Sequence, residues 1–78
     1  MAQIGHSALG LYLREAREAR GISLGQAAQD TRIVVRYLAA LEQGEFHHLP
    51  GDVYARGFLR NYGQYLNLPV EDLIEMYR

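Results

Sequence analysis

Two helical patterns stand almost end to end in the first half of this chain, and no other feature restricts its fold as much. The first opens at Ile22-Ser23, where Ser23 and Gln26 match an S-x-x-Q capping box, and ends near Asp30-Thr31. The second begins near Ile33 and runs to Gln43, with Gly44 as its stop and Ile33, Tyr37, Leu38 and Leu41 on one inward stripe. Ala27 and Ala28 of the first are small enough to let another helix cross closely. Helices over residues 23–30 and 33–43, joined by a turn of about three or four residues, make a helix-turn-helix unit.

The rest of the chain reads as three more helices around that unit. Residues 1–7 are expected to form a flexible leader, with Ser7 capping a helix over 8–20 that Gly21 terminates. Leu9, Leu13, Ala16 and Tyr12 line its buried face, and its exterior, LREAREAR, is a solvated charge run with an Arg14/Glu18 pair at i,i+4. EFHHLP is a loop that pins Phe46 and Leu49 against the core. A fourth helix over 52–66 opens at Gly51-Asp52, where the Asp52 charge suits the helix dipole. Asn67-Leu68 breaks the pattern before a fifth helix over 69–78, in which Pro69, Glu71 and Asp72 suit the first turn and Val70, Leu73, Ile74 and Tyr77 face inward. The expected fold is therefore all-α, five helices in one domain over residues 8–78.

Composition narrows the function. With 78 residues there is one small core and little stability margin, so several of the stripe positions must be structural. No cysteine is present, which excludes disulfides and Cys-based zinc sites or nucleophiles. No serine stands in a nucleophile setting, no glycine-rich phosphate loop occurs, and the carboxylates are spread along helix exteriors, so no catalysis is expected. His47-His48 lack a neighbouring carboxylate or cysteine in ligand arrangement and read as solvated loop residues; no metal and no cofactor is expected. No apolar run approaches the length of a membrane span, and the start lacks a charged region followed by an apolar one. Every basic residue is arginine, yet the net charge is −1, which weighs against holding DNA by phosphate neutralisation alone.

The fourth helix carries more aromatic surface than a small core needs. With residues about 100° apart, Tyr54, Ala55, Phe58, Leu59, Tyr62, Tyr65 and Leu66 share an arc of roughly 140°. Arg56, Gly57, Arg60, Asn61, Gly63 and Gln64 take the other side. Tyr62 is the centre of the arc, Ala55, Leu59 and Leu66 are its aliphatic edge, and Tyr54, Phe58 and Tyr65 form an edge that can stay uncovered.

Residues 13–44, LREAREARGISLGQAAQDTRIVVRYLAALEQG, resemble the helix-turn-helix of the phage repressor and Cro class, and hence a λ-repressor-like fold. They are more similar still to the N-terminal domain of the RodZ family of bacterial cell-shape proteins. The continuation LPGDVYARGFLRNYGQYLNLPVEDLIEMY carries that family's Y-x-R-G-F/Y-x-R-x-Y block, and the match spans roughly residues 9–77. The resemblance implies an ion pair between Arg17 and Glu42. It also implies glycine where this chain has Arg32; a left-handed conformation there costs a side chain on the order of 1 kcal/mol, so a reshaped turn is expected. It further implies that Tyr54 and Phe58 contact MreB, the bacterial actin homologue. In the family such a domain is cytoplasmic and is followed by a linker and one membrane span.

Two surfaces compete for a function. Protein binding would use Tyr54, Phe58 and Tyr65 on the fourth helix, flanked by Arg56 and Asn61, residue types enriched at interface centres. DNA binding would use the third helix in the major groove, with Arg32, Arg36 and Gln43 as the available donors. Its other outward residues, Val34, Val35, Ala39 and Ala40, offer only contact with thymine methyls, so a good scaffold carries a poor reading head. The runner-up therefore predicts a basic groove face in spite of the total charge.

Overall fold

The computed structural model describes residues 6–78, so the leader expected over 1–7 lies outside the described residues except for His6 and Ser7. The chain forms α1 (Ser7–Ala19), α2 (Leu24–Thr31), α3 (Val35–Gln43), a 3-10 turn at Phe46–His48, α4 (Asp52–Tyr65) and α5 (Val70–Tyr77). No strand occurs among the described residues. Helix α1 packs on α3, α4 on α5, and α2 on both α3 and α4. Leu9, Leu13, Leu38, Leu41, Leu59, Tyr62 and Leu73 are its most deeply buried large side chains.

Two residues of the expected leader, His6 and Ser7, fall among the described residues. Ser7 is the first helical residue rather than the cap, and His6 occupies the cap position. The His6 ring packs against Phe46 and Tyr77, and its Nε2 lies 2.8 Å from the Tyr77 carbonyl oxygen. A backbone contact explains why α1 can reach this far. A side chain at Gly10 would collide with the carbonyl oxygen of Glu42, so only glycine lets α1 lie on the end of α3.

The helix-turn-helix turn keeps its left-handed residue without a glycine. Arg32 sits at φ 64°, ψ 25°, and its amide bonds to the Ala28 carbonyl at 2.9 Å, closing α2. The expectation of a reshaped turn is corrected; neighbouring bonds hold the strained residue instead. Buried Thr31 donates its hydroxyl to the Ala27 carbonyl at 2.8 Å and accepts the Ile33 amide at 3.2 Å. That second bond keeps Ile33 outside the helix, so α3 starts at Val35, later than the apolar periodicity suggested.

Two residues assigned outward by periodicity face inward. Ala40, expected on the outer face of α3, is 4% exposed and belongs to the core cluster. Gly63, expected on the polar side of α4, is buried where α5 crosses: a methyl group added to it would meet Leu73 Cδ1 at 2.5 Å. In both cases the residue is inward because it is small, a property that a hydrophobicity wheel does not weigh.

Candidate functional site

Helix α4 is fastened to the rest of the domain by polar bonds before its exposed edge begins. Tyr62 is fully buried and donates its hydroxyl to Glu42 Oε2 at 2.5 Å. Arg17 reaches the same carboxylate with both arms of its guanidinium, Nε to Oε2 at 2.7 Å and Nη2 to Oε1 at 2.9 Å, and gives Nη1 to the Ile22 carbonyl at 2.9 Å. One carboxylate thus ties α1, α3 and α4, and the pair is held by hydrogen bonds on every side, the condition under which a buried charge is tolerated. Burial and the Glu42 carboxylate both push the Tyr62 hydroxyl well above the usual tyrosine range, and the hydrogen bond to Glu42 raises Arg17 further.

The far end of α4 clamps the helix-turn-helix turn. Asn61 Nδ2 donates to the Thr31 carbonyl at 3.0 Å, and the Tyr65 hydroxyl donates to Asp30 Oδ2 at 2.5 Å. The bond to Asp30 raises the Tyr65 hydroxyl above its ordinary range. At the other end Asp52 receives the Tyr77 hydroxyl at 2.6 Å and pairs with Arg56 at 3.1 Å. Asn61 and Tyr65 are therefore engaged within the fold, and Arg56 is paired at the surface.

What remains free on α4 is an aromatic edge. Tyr54 is 55% exposed, Val53 beside it is 74% exposed, and Phe58 is half-buried. The edge continues onto α3: the Phe58 ring stacks on Tyr37 with centroids 5.6 Å apart, and Tyr54 meets Phe58 at 6.1 Å. The Arg36 guanidinium lies 5.2 Å from the Tyr37 ring, within cation–π range. The two surfaces that competed in the sequence thus form one strip, from Arg36 through Tyr37 and Phe58 to Tyr54. Tyr37 was legible only as an inward residue, because periodicity placed it inside the α3 stripe and gave no sign of a ring that is half in and half out.

The face proposed for DNA is not basic. Arg32 and Arg36 are exposed and form no ion pair among the described residues. Val34 and Val35 stand exposed between them. Further along α3, Gln43 lines a shallow cleft with Arg36, Ala39, Glu45 and His48, and Glu45 lies 3.3 Å from His48 Nδ1. The adjoining cleft brings Arg14 and Arg17 together with Glu18 and Glu42. Carboxylates therefore line both clefts beside the cations, although Arg32 and Arg36 form no ion pair with them. A third, more apolar cleft on the α1–α5 side is lined by Tyr12, Asp72, Glu75 and Met76. Among the described residues no three His, Cys, Asp or Glu side chains converge as metal ligands would.

Five helices, a tight α2–α3 turn and a buried Arg–Glu tie define a helix-turn-helix domain, and the chain belongs to that family: the family model described as a helix-turn-helix domain matches residues 12–73. Over 77 residues the chain is 31% identical to the cytoskeleton protein RodZ of Streptococcus pneumoniae (strain ATCC BAA-255 / R6), which takes in 99% of this chain and 28% of RodZ. It is 35% identical over 57 residues to YmfM of Bacillus subtilis (strain 168), an uncharacterized membrane protein, covering 73% of this chain and 20% of YmfM. The solved structure of YmfM from Staphylococcus aureus, a membrane protein with a suggested DNA-binding role, matches with a TM-score of 0.82 at 33% identity, over 88% of this chain and 84% of that one. The chain spans 28% and 20% of the length of RodZ and of Bacillus YmfM. Among the described residues no helix is long and apolar enough to cross a membrane.

Proposed function

We propose that this domain is a non-catalytic docking module of a RodZ-like protein of the inner membrane, facing the cytoplasm, and that it binds an MreB-like actin filament through α4 in cell-shape maintenance. Tyr54 and Phe58 are the anchors, and Tyr65 borders them at the far end of the same edge. The observation that carries this reading is the aromatic strip that runs from exposed Tyr54 through half-buried Phe58 of α4 to Tyr37 of α3, with α4 itself pinned by Tyr62, Asn61 and Tyr65. Rigid aromatics on a fixed element lose little entropy on binding, which suits an interface centre. The likeness to RodZ over nearly the whole chain supports the choice of a cytoskeletal partner.

The alternative, α3 as a DNA-reading helix, has the scaffold and the suggested role of a YmfM relative behind it. Its donors reduce to Arg32, Arg36 and Gln43, and the carboxylates along the groove oppose phosphate approach.

Co-sedimentation with polymerised MreB separates the two. Tyr54→Ala removes an exposed ring, so the variant stays folded, and we expect it to lose filament binding. Phe58→Ala is expected to melt earlier, because its ring is stacked on Tyr37, and to bind weakly when folded. If folded Tyr54→Ala pellets with the filament as wild type does, the docking reading is wrong; Arg32 and Arg36 then become the residues to substitute, with duplex DNA as the probe.

A further inference from the structure

Packing within the domain does not require glycine at position 57. Gly57 lies in the interior of α4, where glycine is the least favourable residue after proline. Of the other helical glycines, Gly10 lies against the Glu42 backbone and Gly63 against Leu73, while Gly25 of α2 is as open as Gly57 but does not stand beside Tyr54 in the chain. A methyl group added at Gly57 would meet nothing within 4 Å, and no left-handed backbone requires glycine there. The residue is exposed, and the side chains one turn away on either side are Val53 and Tyr54 toward the N-terminus and Arg60 and Asn61 toward the C-terminus. Glycine therefore makes a notch in the surface of the helix, walled by the exposed valine and tyrosine of the docking edge.

We propose that this notch is part of the docking surface, and that it receives an apolar side chain of the partner with a carboxylate alongside it. The missing side chain lets a partner element come closer to the α4 backbone than any other residue would, and the walls Val53 and Tyr54 supply apolar contact for the inserted group. Arg60 supplies the charge. It is exposed and forms no ion pair among the described residues, whereas its neighbour Arg56 is held by Asp52. An acidic group beside the inserted side chain would find Arg60 available for a bidentate contact. The inference rests on the docking reading above and adds to it a shape and a charge that the partner must match.

The test sets Gly57→Ala and Gly57→Leu beside Tyr54→Ala, each measured for thermal midpoint and for binding to polymerised MreB. Both Gly57 variants are expected to melt above wild type, because helix propensity rises and the first carbon of the added side chain displaces no atom. Both are also expected to bind less well, by about tenfold for alanine and with no detectable binding for leucine, as the notch fills. Arg60→Glu is expected to weaken binding without changing the midpoint. If Tyr54→Ala abolishes binding while both Gly57 variants bind as wild type, the notch is wrong and the docking surface stands. If wild type fails to bind, or Tyr54→Ala binds normally, the docking reading falls and takes the notch with it. A Gly57→Ala chain that melts below wild type overturns the premise that the glycine is structurally idle.

Discussion

Tyr62 shows how much one side chain can decide in a domain this small. Its ring fills the centre of the core and its hydroxyl completes the coordination of Glu42. Tyr62→Phe keeps the ring, so the expected loss is that of one hydrogen bond to a charged group, about 1.5–3 kcal/mol, read from the urea midpoint. Burial of the hydroxyl, with the same bond, makes stability fall in alkali. An unfolded tyrosine releases its proton near pH 10, whereas the folded one holds it to higher pH. The stabilisation is complete below about pH 10 and is lost above it, at up to about 1.4 kcal/mol per pH unit. Urea titrations at pH 9 and pH 11 measure the fall, and a wild type with equal stability at both would contradict the role of this hydroxyl. Arg32 makes the opposite case. Its left-handed backbone carries a strain that glycine would remove, so Arg32→Gly should stabilise the domain by roughly 1 kcal/mol in the same measurement.

At the scale of the element, what could be read beforehand was periodicity, and what could not was closeness. The five helices were legible because their stripes, capping box and glycine stops are local signals, as at Ser23, Gly21 and Gly44. The pairing of Arg17 with Glu42 was available only through resemblance, since nothing local links residues so far apart in the chain. Ala40, Gly10 and Gly63 were misread or passed over because their role depends on a second helix. These contacts predict an order of damage. Gly10→Ala presses on immovable backbone and is expected to cost about 1–3 kcal/mol or more, whereas at Gly63 the obstacle is the end of the Leu73 side chain and the cost is expected to be smaller. Thermal melts of the two variants test the ranking, and a Gly10→Ala chain as stable as wild type would mean that α1 is not held where it appears.

For the whole molecule the relevant quantity is how charge and aromatic surface are distributed. A net charge of −1, with carboxylates interleaved along the α3 groove, leaves little field to attract a polyanion. Fluorescence anisotropy with a random-sequence duplex at physiological salt is expected to give a dissociation constant weaker than on the order of 100 µM. Tight binding that falls steeply with salt would restore the DNA reading. On the candidate site, the sequence led to Tyr54 and Phe58 but set them against Arg36 as rivals. Only the packed structure joins them, because the stacking of Phe58 on Tyr37 is a contact between helices.

The fastening of α4 also has a mechanical meaning. Its exposed edge is where a filament would pull, and the same helix is bonded to α1 and α3 through Glu42, to the α2–α3 turn through Asn61 and Tyr65, and to α5 through Asp52 and Tyr77. A load applied at Tyr54 therefore cannot peel one helix away, since it is shared at once by anchors spread along the helix. The domain would respond as a stiff handle that passes tension on to whatever the chain is joined to, and it would yield only when several anchors break together.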